Sequence, residues 1–147
     1  MKWIGSYTIK ELLDNCLNSS HAQPPDENGV YLVSKRSWSN KPTKLCDPLY
    51  VGTSPDNPKR FKTRMGLLIS HMFGLFSPID THCSHSGGKS LYEYCKANVI
   101  NPMELYIGWL DSCGCPACEE INTYNCLKPL LNSPPKKCKC HGTKPIK

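Results

Sequence analysis

The stretches Gly29-Val30-Tyr31-Leu32-Val33 and Leu49-Tyr50-Val51-Gly52 decide the fold of this 147-residue chain. Both are rich in β-branched and aromatic residues, which favour extended strands. The connection between them, 35–48, is polar. The pattern therefore predicts two strands joined as an antiparallel hairpin with a long loop.

Helical patterns lie on both sides of this hairpin in the sequence. Apolar residues spaced three and four positions apart predict helices at 8–17, 60–73, 91–97 and 119–127. Thr8 with Glu11 forms a capping box at the first of them. A third strand is predicted at 104–110, and the Gly/Ser/His-rich stretch 77–89 is predicted to be a loop. This order predicts a small mixed α+β domain, in which helices flank a short, largely antiparallel three-stranded sheet.

The bulk properties limit the chain to one domain of ordinary size. It has no apolar run long enough to cross a membrane, and its first residues lack the pattern of a signal peptide, so we expect a cytoplasmic protein. The net charge is +6, and five lysines lie between 136 and 147, where no acidic residue occurs. Such a tail suits a DNA phosphate backbone, and a solvated basic terminus explains it equally well.

Four elements of the sequence occur in a fixed order. The first two are Gly29-Val30-Tyr31 and Tyr50-Val51-Gly52, and the third is an arginine on the next predicted helix. The fourth is Glu120, nine residues before Pro129, on a helix followed by a Pro-x-apolar-Asn pattern that ends at Asn132. Together they resemble the GIY-YIG nuclease superfamily, with valine in both tripeptides where the family's motif has isoleucine.

The resemblance implies a division of the chain into three parts. A catalytic domain would span 29–132, preceded by a helical extension at 1–28 and followed by a basic Cys/His tail at 133–147. The activity implied is a metal-dependent endonuclease that hydrolyses DNA phosphodiester bonds.

The resemblance also implies a role for each site residue. Tyr31 would be the general base that deprotonates the attacking water, with Tyr50 in support, although a phenol with a pKa of about 10 needs a nearby cation to serve as a base. Arg64 would stabilise the charge on the phosphate, with Arg60 as the alternative because it lies nearer the preceding loop. Glu120 would hold one Mg²⁺ or Mn²⁺.

Each of these residues also has an ordinary structural explanation. Tyr31 and Tyr50 suit cross-strand aromatic neighbours, and Glu120 suits the first turn of a helix. The arginines suit a solvated basic face. A second hypothesis is therefore a non-catalytic, zinc-stabilised nucleic-acid-binding module, although the joint occurrence of the four elements favours the enzyme. The residues expected to contact DNA are Arg60, Lys62, Lys136 and Lys137.

Ten cysteines in a chain without a secretion signal favour metal binding or reduced thiols over disulfides. Two clusters of soft ligands flank the predicted helix that carries Glu120. Structural zinc accepts four cysteines, or three with one histidine, so a zinc ion would fold the tail back onto the start of this helix. The knuckle Cys115-x₂-Cys118 with two tail ligands is the most economical set. The candidates, of which four are needed, are Cys113, Cys115, Cys118, Cys138, Cys140 and His141.

Two further features of the sequence have open roles. His82, Cys83 and His85 form a group of soft ligands in the predicted loop, for which catalysis, a second metal site, DNA contact and simple solvation all stay open. His71 lies on the basic helix, one turn beyond Leu67, where it would either approach the active site or pack between helices.

Overall fold

The structure, a computed structural model, describes residues 2–15, 18, 22–26, 28–54, 60–77, 85–111 and 114–138. The strands of these residues are β1 (Trp3–Thr8), β2 (Gly29–Ser34), β3 (Pro48–Thr53) and β4 (Tyr106–Asp111). The helices are α1 (Ile9–Asp14), α2 (Phe61–Met72), α3 (Ser86–Asn98) and α4 (Pro116–Leu127). In this part of the chain, no helix combines the length and the apolar character needed to span a membrane.

All four strands form one antiparallel sheet in the order β1-β4-β2-β3. The predicted hairpin is its β2–β3 half, in which Tyr31 lies opposite Gly52 and Val33 lies opposite Tyr50. The α+β class and the antiparallel sheet are therefore confirmed. The sequence order of the predicted elements is also the observed one, with a single strand added at the N-terminal end.

The added strand corrects the predicted count of three strands. Trp3–Thr8 pairs with β4, so the segment 1–28, expected to be a helical extension, contributes an edge strand to the sheet. Gly5 and Ser6 interrupt the apolar alternation there, and a register shift separates Ile4 from Tyr7. A strand broken in this way lacks the period-two pattern by which strands are recognised in a sequence.

Specific side chains set the starts of two helices. The Thr8 hydroxyl accepts the N–H of Glu11 at 3.0 Å, as the capping box predicts, and α1 begins directly after it. Helix α3 begins at Ser86, inside the stretch predicted as a loop, because the His85 ring accepts the N–H of Gly88 at 3.2 Å. A Cβ at Gly88 would overlap the side chain of His71 on α2. The glycine therefore permits the close approach of α3 to α2.

Strand β2 is buried along its whole length, because both faces of the sheet are covered there. Successive side chains of a strand point to opposite faces. Val30 and Leu32 accordingly join one buried cluster with Leu127 of α4, whereas Tyr31 and Val33 join the other. The second cluster contains apolar side chains of α2 and α3, namely Phe61, Met65, Leu68, Met72, Leu91 and Cys95. Tyr31 thus points into the layer formed by α2 and α3.

The chain that follows α4 returns along the outer edge of β3 and forms what we call the edge strap, Leu130–Asn132. The N–H groups of Leu130 and Leu131 donate to the carbonyls of Pro48 and Leu49 at 3.1 and 2.8 Å. The Asn132 side chain accepts the N–H of Val51 and donates to its carbonyl, both at 2.8 Å. These bonds attach the segment after α4 directly to the strand that carries Tyr50.

We expect Asn132→Ala to lower the free energy of unfolding by about 1–3 kcal/mol, because it leaves two backbone groups of Val51 without their partners. Urea unfolding should show a lower midpoint with an unchanged slope. The control is Asn125→Ala, since this exposed side chain bonds only to Lys128 among the interactions described for it. Equal losses in the two variants would contradict the role given to the edge strap.

Candidate active site

Two tyrosine rings lie side by side on the hairpin. Tyr31 of β2 and Tyr50 of β3 have ring centroids 6.2 Å apart and an interplanar angle of 28°. Tyr31 is only 1% exposed, and a Cβ at Gly52 would overlap its hydroxyl. A glycine is therefore needed at position 52 for steric reasons, because any side chain there would block the Tyr31 phenol where it crosses β3.

The first turn of α3 packs against the second tyrosine. A Cβ at Gly87 would overlap the ring of Tyr50. Burial raises the pKa of Tyr50, and a hydrogen bond with Ser86 partly opposes this rise. The pair Gly87-Gly88 thus serves two close approaches, one to the sheet through Tyr50 and one to α2. Helical periodicity cannot reveal this use of glycine, since the two residues contribute no apolar side chain.

His85 is the site residue whose role the sequence left open. Its side chain is fully buried, and its Nε2 lies 2.8 Å from the Tyr31 hydroxyl. Since the N–H of Gly88 donates to Nδ1, that nitrogen carries no hydrogen. Burial, with smaller effects of Arg64 and His71, lowers the pKa of His85 to about 3, so the ring is neutral near pH 7. The hydrogen is therefore on Nε2, and His85 donates to the Tyr31 oxygen.

The charges of Arg64 and Glu120 both act on the two tyrosines. Burial raises the pKa of Tyr31 well above its usual 10, and Tyr50 and Glu120 raise it further. Burial and Glu120 also raise the pKa of Tyr50. Arg64 opposes these effects, because its charge lowers the pKa of both phenols. Helices α2 and α4 therefore bring an arginine and a glutamate to the tyrosine pair.

Arg64, rather than Arg60, is the arginine whose charge affects the tyrosines. Arg64 is half-buried on α2, whereas Arg60 precedes the helix and is exposed, as is Lys62. Lys136 and Lys137 are also exposed, beyond the edge strap. The predicted DNA contacts thus lie at the surface, outside the group formed by Tyr31, Tyr50, His85, Arg64 and Glu120.

Glu120 is a half-buried carboxyl group, and burial raises its pKa to about 7. A carboxylate that burial makes costly to ionise favours the approach of a compensating cation. Hard divalent cations such as Mg²⁺ and Mn²⁺ bind through oxygen ligands of this kind and fill their other positions with water. The residue is therefore chemically suited to hold such an ion next to the tyrosines.

Three cysteines come together at the start of α4. Cys115 is the N-cap residue, Cys118 lies in the first turn, and Cys138 comes from the chain beyond the edge strap. Their sulfur atoms all lie within 4.8 Å of one another, and those of Cys115 and Cys138 are 3.2 Å apart. Three close thiols can bind a metal ion such as zinc. The other candidates, Cys113, Cys140 and His141, lie outside the described residues.

The other histidines named from the sequence are His71 and His82. His71 is buried and stacks on Phe76 with ring centroids 5.5 Å apart, so it packs at the α2 surface while contributing to the lowered pKa of His85. His82 and Cys83 lie outside the described residues. Of the predicted soft-ligand group, the structure therefore describes His85 alone and brings it to Tyr31.

Comparison with protein-family models, with curated proteins and with solved structures found no match to this chain.

We expect Glu120→Gln to stabilise the protein at alkaline pH when divalent cations are absent. A carboxyl group whose pKa is higher in the folded state contributes stability that is present below its unfolded pKa, about 4.3, and lost as the pH rises through its folded pKa, about 7. The gain from the neutral amide should therefore grow across this window and level off above it, at on the order of 1–2 kcal/mol after allowance for solvent screening.

Urea unfolding at several pH values measures this gain. Glu119→Gln is the matched control, because it removes the neighbouring carboxyl group of the same helix. A gain that does not change with pH, or that is the same in both variants, would show that burial of Glu120 does not destabilise its ionised form.

Proposed function

We propose that the chain is a metal-dependent endonuclease that hydrolyses DNA phosphodiester bonds, with a site of the GIY-YIG type. The observation that carries this proposal is the convergence of Tyr31, Tyr50, Arg64 and Glu120 from four separate elements. The resemblance selected these four residues from the sequence, and in the fold the charges of Arg64 and Glu120 both act on the two tyrosines. Separate structural explanations for each of these residues do not account for their convergence at one place.

The proposed chemistry assigns one step to each group. Tyr31, in its ionised form, accepts a proton from the attacking water, whose oxygen forms a bond to phosphorus while the bond to the leaving oxygen breaks. The leaving oxygen departs as an alkoxide and takes a proton from solvent water. Arg64 neutralises the charge that grows on the phosphate oxygens and favours the ionised form of Tyr31. Tyr50 holds the base in place through its contact with the Tyr31 ring.

His85 adds a group that the four-residue motif does not contain. Its Nε2–H donates to the oxygen of Tyr31, so it stabilises the negative charge of the tyrosinate and fixes the direction of its lone pairs. A neutral donor of this tautomer cannot itself take the proton from Tyr31. We therefore assign to His85 the stabilisation of the base, not the removal of its proton.

Two metal ions belong to this proposal. Glu120 would hold Mg²⁺ or Mn²⁺, which when bound stabilises charge on the phosphate and lowers the pKa of nearby acids. The cysteine site at the start of α4 would hold a structural Zn²⁺, with a fourth ligand that completes the tetrahedron. Exposed basic side chains would contact the DNA backbone, namely Arg60, Lys62, Lys136 and Lys137.

Plasmid cleavage with Mg²⁺ or Mn²⁺ tests the proposed function. Glu120→Ala should lower the cleavage rate by more than about 100-fold, a larger loss than that caused by removing a group that only supports a metal ligand. Glu119→Ala, which removes the adjacent carboxyl group, should keep most of the activity. Binding of DNA without cleavage by the unaltered protein would support the alternative, a zinc-stabilised nucleic-acid-binding module.

Variants of His85 test its role as a hydrogen-bond donor. The active form of Tyr31 is deprotonated, so the cleavage rate should rise with pH up to the pKa of Tyr31 in the cation-bound enzyme. His85→Ala removes the donor, which should lower the rate by about 10²-fold and move the profile to higher pH. His85→Gln, whose amide N–H can replace Nε2–H, should recover part of the rate. A glutamine variant that folds and is as slow as the alanine variant would contradict this role.

A further inference from the structure

The two halves of α4 are held in different ways. Thr123 and Leu127, in the C-terminal half, are buried, and Leu127 belongs to the core cluster beneath the sheet. The N-terminal half, 116–121, is half-buried throughout. Glu120 lies in this N-terminal half, so burial in the core does not fix the end of the helix that carries Glu120.

The start of α4 also has no conventional cap. Cys115 occupies the N-cap position without a side-chain hydrogen bond to the helix, although its carbonyl accepts the N–H of Glu119 at 3.1 Å. Helix N-termini favour negative charge, and they lower the pKa of cysteine thiols. Thiolates at the N-cap and in the first turn therefore suit this end of the helix.

The three sulfur atoms have the spacing of a metal site. Zinc–sulfur bonds of about 2.3 Å in a tetrahedron place neighbouring sulfur atoms about 3.8 Å apart. The sulfur atoms all lie within 4.8 Å of one another, and the 3.2 Å between those of Cys115 and Cys138 is somewhat shorter than that value. The Cys115–Cys138 distance is also well beyond a disulfide bond length of about 2.05 Å.

A metal ion there would close a loop of the chain that contains Glu120. Cys115 and Cys138 are 23 positions apart, and the chain between them contains α4 and then the edge strap bound to β3. Glu120 lies five residues after Cys115, about 7.5 Å further along the helix axis. This closed loop, which we call the zinc clamp, would therefore tie the start of α4 to the chain that leaves the edge strap on β3.

We propose that a Zn²⁺ ion bound by Cys115, Cys118 and Cys138 positions Glu120 and so sets the affinity of the active site for its divalent cation. This inference rests on the proposed function of Glu120 as a cation ligand. Loss of zinc would release the start of α4 from the chain beyond the edge strap, whereas Thr123 and Leu127 would stay buried. Zinc occupancy would thus regulate the enzyme through its requirement for Mg²⁺ or Mn²⁺.

The presence of the clamp is tested without any activity measurement. Purified protein should contain about one equivalent of zinc, as four-coordinate thiolate sites do. Replacement by Co²⁺ should give an intense thiolate-to-cobalt charge-transfer band that Cys138→Ser weakens. Cys126→Ser is the matched control, because Cys126 is an exposed cysteine on the same helix. Protein that neither contains zinc nor gives the cobalt band would overturn the proposal.

The coupling is tested by titrating Mn²⁺ into the protein after chelation and removal of the chelator. With one equivalent of Zn²⁺ restored, Mn²⁺ should bind about 10-fold to 100-fold more tightly than without it, the range found for groups that support metal ligands. Since this comparison uses the unaltered sequence, a folding failure of Cys138→Ser does not affect it. Glu120→Gln should abolish this Mn²⁺ binding, which identifies the site that is titrated.

Hydrogen exchange locates the effect along the helix. Removal of zinc should accelerate exchange of the amides of 119–122, whereas the amide of Val51 beneath the edge strap should keep its protection. Equal Mn²⁺ affinity with and without zinc, or unchanged exchange at 119–122, would overturn the coupling. Zinc-dependent Mn²⁺ binding without DNA cleavage would instead support the coupling and contradict the nuclease, so the two proposals fail in distinguishable ways.

Discussion

A buried phenol hydroxyl needs polar partners, and the rest of the structure is arranged around that of Tyr31. Leaving such a group unsatisfied costs roughly 1–3 kcal/mol, so its surroundings must supply both space and hydrogen bonds. Gly52 supplies the space on the adjacent strand, and His85 supplies a donor from the start of α3. The donor reaches the hydroxyl only because Gly88 lets α3 lie close against α2. The packing of β2, α2 and α3 thus accommodates the hydroxyl group of Tyr31.

The same arrangement lowers the stability of the fold, because it buries several ionisable groups. Burial keeps His85 neutral and opposes ionisation of Tyr31 and Glu120, so the protein alone holds these groups uncharged or close to it. Arg64 is the positive group that opposes this tendency at the tyrosines. The cation and the anionic substrate that we propose would supply the charges that such a site lacks. Stability lost at such a site has to be offset by apolar burial elsewhere, as in the two clusters on either side of β2.

The sequence predicted those features that depend on local patterns. The β-branched and aromatic content identified β2 and β3, and periodicity identified the helices. The resemblance selected Arg64 and Glu120, whose charges act on Tyr31 and Tyr50 in the fold. Strand β1 was missed because Gly5 and Ser6 break its pattern and only pairing with β4 makes it extended.

The contribution of His85 could not be predicted for a similar reason. It lies 54 residues from Tyr31, and nothing next to it in the sequence marks a contact across that distance. The cysteine cluster was predictable in part. The spacing of Cys115 and Cys118 indicated a metal knuckle, and Cys138 was one of the tail candidates, but the sequence did not show which of them would join it. The return of the chain along β3 brings Cys138 there.

The edge strap also bears on how this protein behaves at high concentration. The outer strand of a sheet offers unpaired backbone groups to which a strand of another molecule can add. On β3 the carbonyls of Pro48 and Leu49 and both backbone groups of Val51 are already bound by 130–132. A second chain would have to displace that segment before it could extend the sheet there. The fold thus protects itself from edge-to-edge aggregation on the strand where an added chain would lie beside Tyr50.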